Sequence, residues 1–285
     1  MDFYFVNSEG QKVDFGGYPY LFQSGNLLDW QFSYTSVQGA QKNRTYGYRR
    51  NIREYSAQLA VLCDFSIPPE ERREQWKEAV NYLVEVFSKD LINGQNGKLY
   101  TDTGYYLRCK IVASTKSDWK MGLPVMFNDL KILADNPVWI REKKQSFFPG
   151  EQSRAGVTYL NYPNNYPYNY SMPSSGVALW DTEHFAPSPF QMIIFGPCAD
   201  PRILINGHPY EVFDTLESGE YIIIDSQENT VMKYRNNGTV VNLFDLRGKE
   251  SSVFEPVPGD VVTVTWNGSF GFDITLFEER SEPAW

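Results

Sequence analysis

The fold of the last third of the chain is indicated by the run Pro201-Arg202-Ile203-Leu204-Ile205-Asn206-Gly207, an aliphatic strand that ends in an Asn-Gly pair. Asn and Gly both tolerate a positive φ, which a two-residue type I′ hairpin requires. The pair recurs at Asn237-Gly238 and Asn267-Gly268, each time after β-branched and aromatic residues. We therefore predict a β-sandwich built of hairpins in this part of the chain.

The order of the short motifs around these turns is more specific than any single motif. They are, in chain order, Gly196-Pro197, Pro201 to Gly207, Ile224 to Ser226, Asn237 to Phe244, Pro258 to Asp260 and Glu282 to Trp285. This ordered set resembles the C-terminal domain of the distal tail proteins of long-tailed phages. The resemblance implies that the family's structural turns are formed here by Gly196, Pro201, Asn206, Gly207, Asp225, Asn237, Gly238, Asn242, Phe244, Pro258, Gly259, Glu282 and Trp285.

The resemblance also implies an architecture and a role. We expect a mainly β protein, with an N-terminal β-sandwich-like domain over 1–150 that forms a ring, and a galectin-like β-sandwich over 176–285. The role implied is that of a virion structural protein at the tail tip, a baseplate hub whose hexameric ring joins the tail tube to the tip. The implied partners are further copies of the chain, the tail tube protein, the tail tip protein, and receptor-binding or baseplate proteins.

The N-terminal half follows a strand, helix, strand order. Residues 55–65 alternate as a strand with one buried face. A helix is predicted over about 69–89, because prolines and acids suit its first turn. Its apolar stripe is Trp76, Ala79, Val80, Leu83, Val84 and Phe87. Further strands are predicted over 98–101, 105–114 and 125–134, which gives a β domain with one amphipathic helix.

The composition changes between these two parts. The segment from Tyr162 to Tyr170 alternates tyrosine with proline and asparagine and carries no charge. Such a segment cannot form a helix and makes a poor central strand. We therefore predict a Tyr/Pro/Asn linker over 151–175.

The charge of the chain argues against nucleic-acid binding. The formal net charge is −9 with a pI near 4.9, whereas binding to nucleic acid is driven by neutralising phosphates. The basic clusters at Arg49-Arg50 with Arg53, at Arg72-Arg73 and at Arg141 to Lys144 are short. We predict that they are solvated faces or interface charges.

No targeting or membrane segment is evident in the sequence. No apolar run approaches the roughly 20 residues that span a bilayer. The first residues, Met1 to Asn7, lack the basic region of a signal peptide. We expect synthesis in a bacterial cytoplasm and no contact with a membrane.

Catalytic and metal-binding patterns are missing from the sequence. The two histidines are His184, in a loop-like run, and His208, at a hairpin position expected to be exposed; neither has a serine elbow beside it. Cys63, Cys109 and Cys198 lie far apart in apolar runs, so buried free thiols are expected. No zinc, calcium or phosphate-loop spacing occurs. We predict no enzymatic activity, no cofactor and no metal.

Two alternatives remain at this stage. The first is a carbohydrate-binding module that contacts the host cell wall through exposed Trp and Tyr rings. The second is a tail-associated glycan hydrolase that uses two of the 35 acidic residues. Trp266 fits the apolar alternation of its strand, so we expect it in the core rather than as a sugar platform.

Overall fold

The computed structural model describes residues 1–117, 125–149 and 176–285. It confirms the mainly β class with a single long helix. In the first half the elements are β1 (Phe3–Val6), β2 (Lys12–Asp14), β3 (Gly16–Gly17), β4 (Tyr20–Gly25), β5 (Ser33–Gln38), β6 (Asn43–Arg49), β7 (Arg53–Leu62), α1 (Pro69–Asn93), β8 (Gly97–Thr101), β9 (Tyr106–Ser117), β10 (Val125–Ala134) and β11 (Trp139–Phe147). In the second half they are β12 (Gly176–Asp181), β13 (Phe190–Phe195), β14 (Cys198–Ala199), β15 (Arg202–Ile205), β16 (His208–Glu211), β17 (Thr215–Leu216), β18 (Tyr221–Asp225), β19 (Thr230–Tyr234), β20 (Val240–Asn242), a 3₁₀ turn (Phe244–Leu246), β21 (Val261–Trp266) and β22 (Phe272–Arg280).

The chain divides into two compact units. Unit 1 comprises residues 1–141 and 279–285, and unit 2 comprises residues 142–278. The expected boundaries at 150 and 176 differ from these limits, because β11 and β22 each continue from one unit into the other. The predicted linker over 151–175 lies outside the described residues. Separate folding of 1–150 and 176–285 stays a prediction.

Unit 1 is built on antiparallel strands. Its long strands pair in the order β4-β7-β10-β9, and β9 continues through β8 and β1 to β2. The ten residues of β10 pair with β7 without a break, from Val125 opposite Leu62 to Ala134 opposite Arg53. Strands β5 and β6 pair only with each other among the described strands.

The helix of unit 1 begins at Pro69, as predicted, and ends at Asn93, four residues beyond the predicted end. It stops where Gly94 adopts a left-handed φ of 67° and donates its backbone N–H to the carbonyl of Asp90. Leu83 and Phe87 are buried as expected, together with Val86 and Asp90. The placement of Val84 on the buried stripe is wrong, since 49% of its surface is exposed.

Unit 2 consists of two sheets around one core. One sheet has the strand order β20-β19-β18-β13-β22, and the other has the order β12-β21-β15-β16. Alternate residues of both sheets point into the same core, such as Ile222 and Ile224 from β18 and Val262 and Val264 from β21. Each such side chain contributes about 1.5–3 kcal/mol when it leaves water. Two sheets around one core agree with the predicted β-sandwich in this part of the chain.

In the described part of the chain, no helix has the length and apolar character needed to cross a membrane.

Candidate functional site

The Asn206-Gly207 turn has the predicted hairpin geometry. It joins β15 to β16, and its φ angles of 48° and 84° are both positive. Ile205 lies opposite His208, which leaves a two-residue loop. Asn206 donates its backbone N–H to the carbonyl of Thr263 and accepts the N–H of Thr263 on Oδ1, both at 2.8 Å. The hairpin is thereby bonded to the neighbouring strand β21.

The other two Asn-Gly pairs do not form two-residue hairpins, so that prediction is wrong for them. Only their glycines have a positive φ, 79° at Gly238 and 74° at Gly268. Asn237 Oδ1 accepts the N–H of Thr239 at 2.9 Å, and Asn267 makes the same type of bond two residues on, at 3.0 Å. Asparagine here bonds to the local backbone instead of entering the left-handed region. The first pair lies in a longer loop over 235–239, and the second links strands of different sheets.

Two predicted turn glycines are required by close packing. A Cβ on Gly196 would overlap the carbonyl oxygen of Glu217. A Cβ on Gly259, which follows the half-buried Pro258, would lie 2.5 Å from the carbonyl oxygen of His184.

The remaining turn residues of unit 2 also act locally. The carbonyl of the buried Pro201 accepts the N–H of Val212 at 3.1 Å. Asp225 Oδ1 accepts two backbone N–H groups of the turn that follows β18. Asn242 Oδ1 accepts the N–H of Phe244 at 2.8 Å.

The last two predicted turn residues lie in the other unit. Glu282 Oε1 accepts the indole N–H of Trp285 at 2.8 Å, and Trp285 is 81% exposed. Glu282 and Trp285 group with unit 1, whereas the other eleven predicted residues belong to unit 2. The predicted residues therefore shape separate turns and do not line one cavity.

Neither histidine lies in an exposed position where it could act on a substrate. His184 is buried in the loop between β12 and β13. The expectation that His208 is exposed is wrong, because its ring is half-buried, with Nε2 2.8 Å from the carbonyl oxygen of Ser252 and an edge contact to Tyr210. Among the described residues, no three His, Cys, Asp or Glu side chains are grouped so as to hold a metal ion.

The cysteines are free thiols, as predicted, but the prediction that all three are buried is wrong for Cys198. Cys63 and Cys109 are buried, and Cys198 is half-buried. Burial raises the pKa of Cys109 to about 12 and that of Cys198 to about 11. Both groups are protonated at neutral pH, and a thiol in that state is a poor nucleophile.

A buried ionic cluster in unit 2 has no signature in the sequence. Lys233 Nζ lies 2.9 Å from Asp214 Oδ2, 3.2 Å from Glu220 Oε2 and 2.6 Å from the carbonyl oxygen of Thr215. Burial opposes the charged amine, but these bonds outweigh it and raise the pKa of Lys233. The N–H of Glu217, and then Lys233, lower the pKa of Glu220. Three acceptors satisfy the three N–H groups of the ammonium, which favours a structural role.

Three arginines of the predicted basic clusters are engaged inside unit 1. Arg50 lies 3.7 Å from Glu279, and Arg53 lies 3.8 Å from Asp29. Arg72 donates to the carbonyl oxygens that precede α1 at positions 65 and 67. The prediction of solvated charges is therefore wrong for these three, because each has a partner within the chain, and the prediction of interface charges stays a prediction.

Among the described strands, the most exposed are β5 and β6, whose pair we call the basic hairpin (residues 33–49). Its tyrosines Tyr34, Tyr46 and Tyr48 are 53–64% exposed. The sequence does contain a signal for it: residues 30–53 hold five Lys and Arg and no Asp or Glu, in a chain of net charge −9. This combination of exposed rings and positive charge is typical of a contact surface.

Comparison with known proteins finds similarity in structure only. No family model and no curated protein matches the sequence. SPP1 Dit (gp 19.1), described as a paradigm of the hub adsorption apparatus in Gram-positive-infecting phages, matches with a TM-score of 0.62 at 10% identity over 98% of this chain and 99% of that one. Two structures of the phage P2 baseplate in its activated conformation also match, each at 15% identity over 99% of both chains. The TM-score is 0.57 for the structure with Ca and 0.56 for the structure with Sr. The resemblance to distal tail proteins is thus confirmed at the level of the fold.

Proposed function

We propose that this chain is a structural hub of a long-tailed phage, the distal tail protein that forms a ring between the tail tube and the tail tip. The observation that carries the proposal is the fold shared with SPP1 Dit over nearly the whole of both chains. A match restricted to one β-sandwich would give little support for a function, because such domains serve many functions. Here the order of both units is matched from end to end.

The two units take different parts in this proposal. The N-terminal region, about 1–150, forms the ring, and six copies close it. The C-terminal region, about 176–285, is a galectin-like sandwich that projects outward and holds receptor-binding or baseplate proteins. The location is the tail tip of the virion, and the remaining partners are the tail tube and tail tip proteins.

The chemistry of the described residues supports a scaffold over an enzyme. The thiols of Cys109 and Cys198 are protonated, the buried Lys233 has three acceptors, and His208 Nε2 lies 2.8 Å from the carbonyl oxygen of Ser252. The chain needs no cofactor and no metal for the proposed role.

The sugar-binding alternative has less support. Trp266, the aromatic residue weighed as a sugar platform, is buried, and its indole N–H donates to the carbonyl of Phe270 at 3.1 Å. This agrees with the prediction that Trp266 belongs to the core.

The stoichiometry in solution tests the proposal. Native mass spectrometry of the purified protein should show a closed assembly of six chains of 32.9 kDa. Electron microscopy of the same sample should show rings with an open centre. A different closed stoichiometry, or release of sugars from bacterial cell walls by the purified chain, would contradict the proposal.

A further inference from the structure

The basic hairpin lacks a packing partner within the chain. Every residue of β6 and all but Ser33 of β5 are exposed, so neither face of the ribbon is covered. A two-stranded ribbon is marginally stable by itself in water, since it has no third element to pack against. The exposed rings of Tyr34, Tyr46 and Tyr48 add apolar surface to both faces. The structure therefore leaves the hairpin in need of a covering surface.

The charges of the hairpin indicate the sign of that surface. Lys42, Arg44 and Arg49 are exposed and form no ion pair with any residue the structure describes. Since the whole chain carries a net charge of −9 and the basic hairpin (33–49) carries +3, the rest of the chain carries a net charge of −12. A second copy of the chain is therefore a strongly complementary partner.

Unit 1 also offers a concave acidic surface. A cavity of about 440 Å³ is lined by Asp2, Asp14 and Asp102 together with the half-exposed Tyr18. Lys12 pairs with Asp14 at 3.3 Å, so part of the acidic charge is already compensated. We call this surface the acidic cavity.

We propose that the basic hairpin of one copy docks on the acidic cavity of the next copy. The proposal rests on the proposed hub function and names the contact that builds the ring. Contacts between two different patches are heterologous, and they close into a ring when the rotation allows it. Charge pairs across such a contact set its orientation and register.

Nucleic acid is the less favoured occupant. Three free positive charges neutralise few phosphates, and salt-dependent affinity for DNA grows with the number neutralised. The acidic remainder of the chain repels the same backbone. Tyrosine, in contrast, is enriched in protein interfaces.

Charge reversal tests the contact. The triple variant Lys42→Glu, Arg44→Glu, Arg49→Glu should raise the dissociation constant for self-association by about 100-fold or more, because facing like charges cost several kcal/mol. The matched control Arg73→Glu, Arg235→Glu, Lys249→Glu changes the net charge equally at exposed positions outside the hairpin, and it should assemble like the parent chain. Both are measured by native mass spectrometry and light scattering.

A second variant identifies the acceptor. The change Asp2→Lys, Asp14→Lys, Asp102→Lys should also abolish assembly of that variant alone. Mixing it with the hairpin variant should restore an assembly in which the two variants alternate, since each reversed hairpin then meets a reversed cavity. Failure of the mixture to assemble, with both variants folded by circular dichroism, would overturn the acidic cavity as acceptor.

Other outcomes separate this proposal from the hub function. A hairpin variant that assembles as six copies overturns the docking contact and leaves the hub. A parent chain that is monomeric at every concentration overturns docking on a second copy, while rings seen on isolated tails would still support the hub. Retardation of duplex DNA that is lost only in the hairpin variant would assign the hairpin to nucleic acid.

Discussion

The core of unit 2 and the basic hairpin are both antiparallel β structure rich in aromatic and β-branched residues. They differ in the burial of their side chains. In β18 and β19 burial alternates residue by residue, and the inward side chains meet a second sheet. In β6 every residue is exposed. The difference shows that strand propensity does not tell whether a strand completes its packing within the chain. The strands of unit 2 do so, whereas the two faces of the hairpin stay uncovered.

The largest expected effect comes from emptying the core of unit 2. Trp266→Ala removes a ring packed 5.8 Å from that of Phe147 and 5.3 Å from that of Phe272, so the free energy of unfolding should fall by about 3–5 kcal/mol. Tyr46→Ala in the basic hairpin of the monomer should change it by less than about 0.5 kcal/mol. Chemical denaturation of each variant measures both values. Equal losses in the free energy of unfolding would contradict the claim that the core of unit 2 is packed and the basic hairpin is not.

The second effect concerns the buried charge of unit 2. Lys233→Met leaves two carboxylates without their cation, so we expect a loss of about 3 kcal/mol in the stability of unit 2. The control Lys144→Met breaks an ion pair of 2.7 Å whose lysine is 57% exposed, and it should cost less than about 1 kcal/mol. Hydrogen exchange of the β18 and β19 amides reports the stability of this unit alone.

The same cluster predicts a pH dependence. Because folding lowers the pKa of Glu220, its stabilising contribution is present above the ordinary value of about 4.3 and is lost as pH falls through the lower folded value. Because folding raises the pKa of Lys233, its contribution is present below about 10.4 and is lost as pH rises through the higher folded value. In Lys233→Met the contribution at high pH should disappear with the amine, and that of Glu220 should shrink, because Lys233 no longer adds to the N–H of Glu217 in lowering its pKa. An unchanged pH profile in that variant would contradict the assignment.

The smallest expected changes in stability come from replacing single glycines, one in each unit. Gly207→Ala should cost about 1 kcal/mol, since φ is 84° although nothing lies within 4 Å of the added methyl group. Gly17→Ala in unit 1 has the same free space without a positive φ, and it should be neutral or slightly stabilising. Thermal melts of the two variants, compared with the parent chain, decide between strain and packing as the cause.

The spacing of apolar residues predicted the regular elements, because a helix or strand with one buried face carries apolar residues at regular intervals. The strand over 125–134 has the predicted bounds, and α1 begins at Pro69 as its proline and acids indicate. The apolar stripe does not predict the end of α1, because the helix continues past its last stripe residue, Phe87, until Gly94 supplies the left-handed cap. Val84 was placed on the wrong face because the stripe is set by the strands that α1 packs on.

The sequence by itself determined the mainly β class, the single helix, the free thiols and the Asn206-Gly207 hairpin, since each depends on local propensity or on the spacing of apolar residues. Tertiary structure alone decided which arginines are paired, how Lys233 meets Asp214 and Glu220, and that residues 279–285 group with unit 1. Those contacts join positions far apart in the chain. Local preferences act within a few residues, whereas ion pairs and unit boundaries depend on where the folded backbone brings distant segments together.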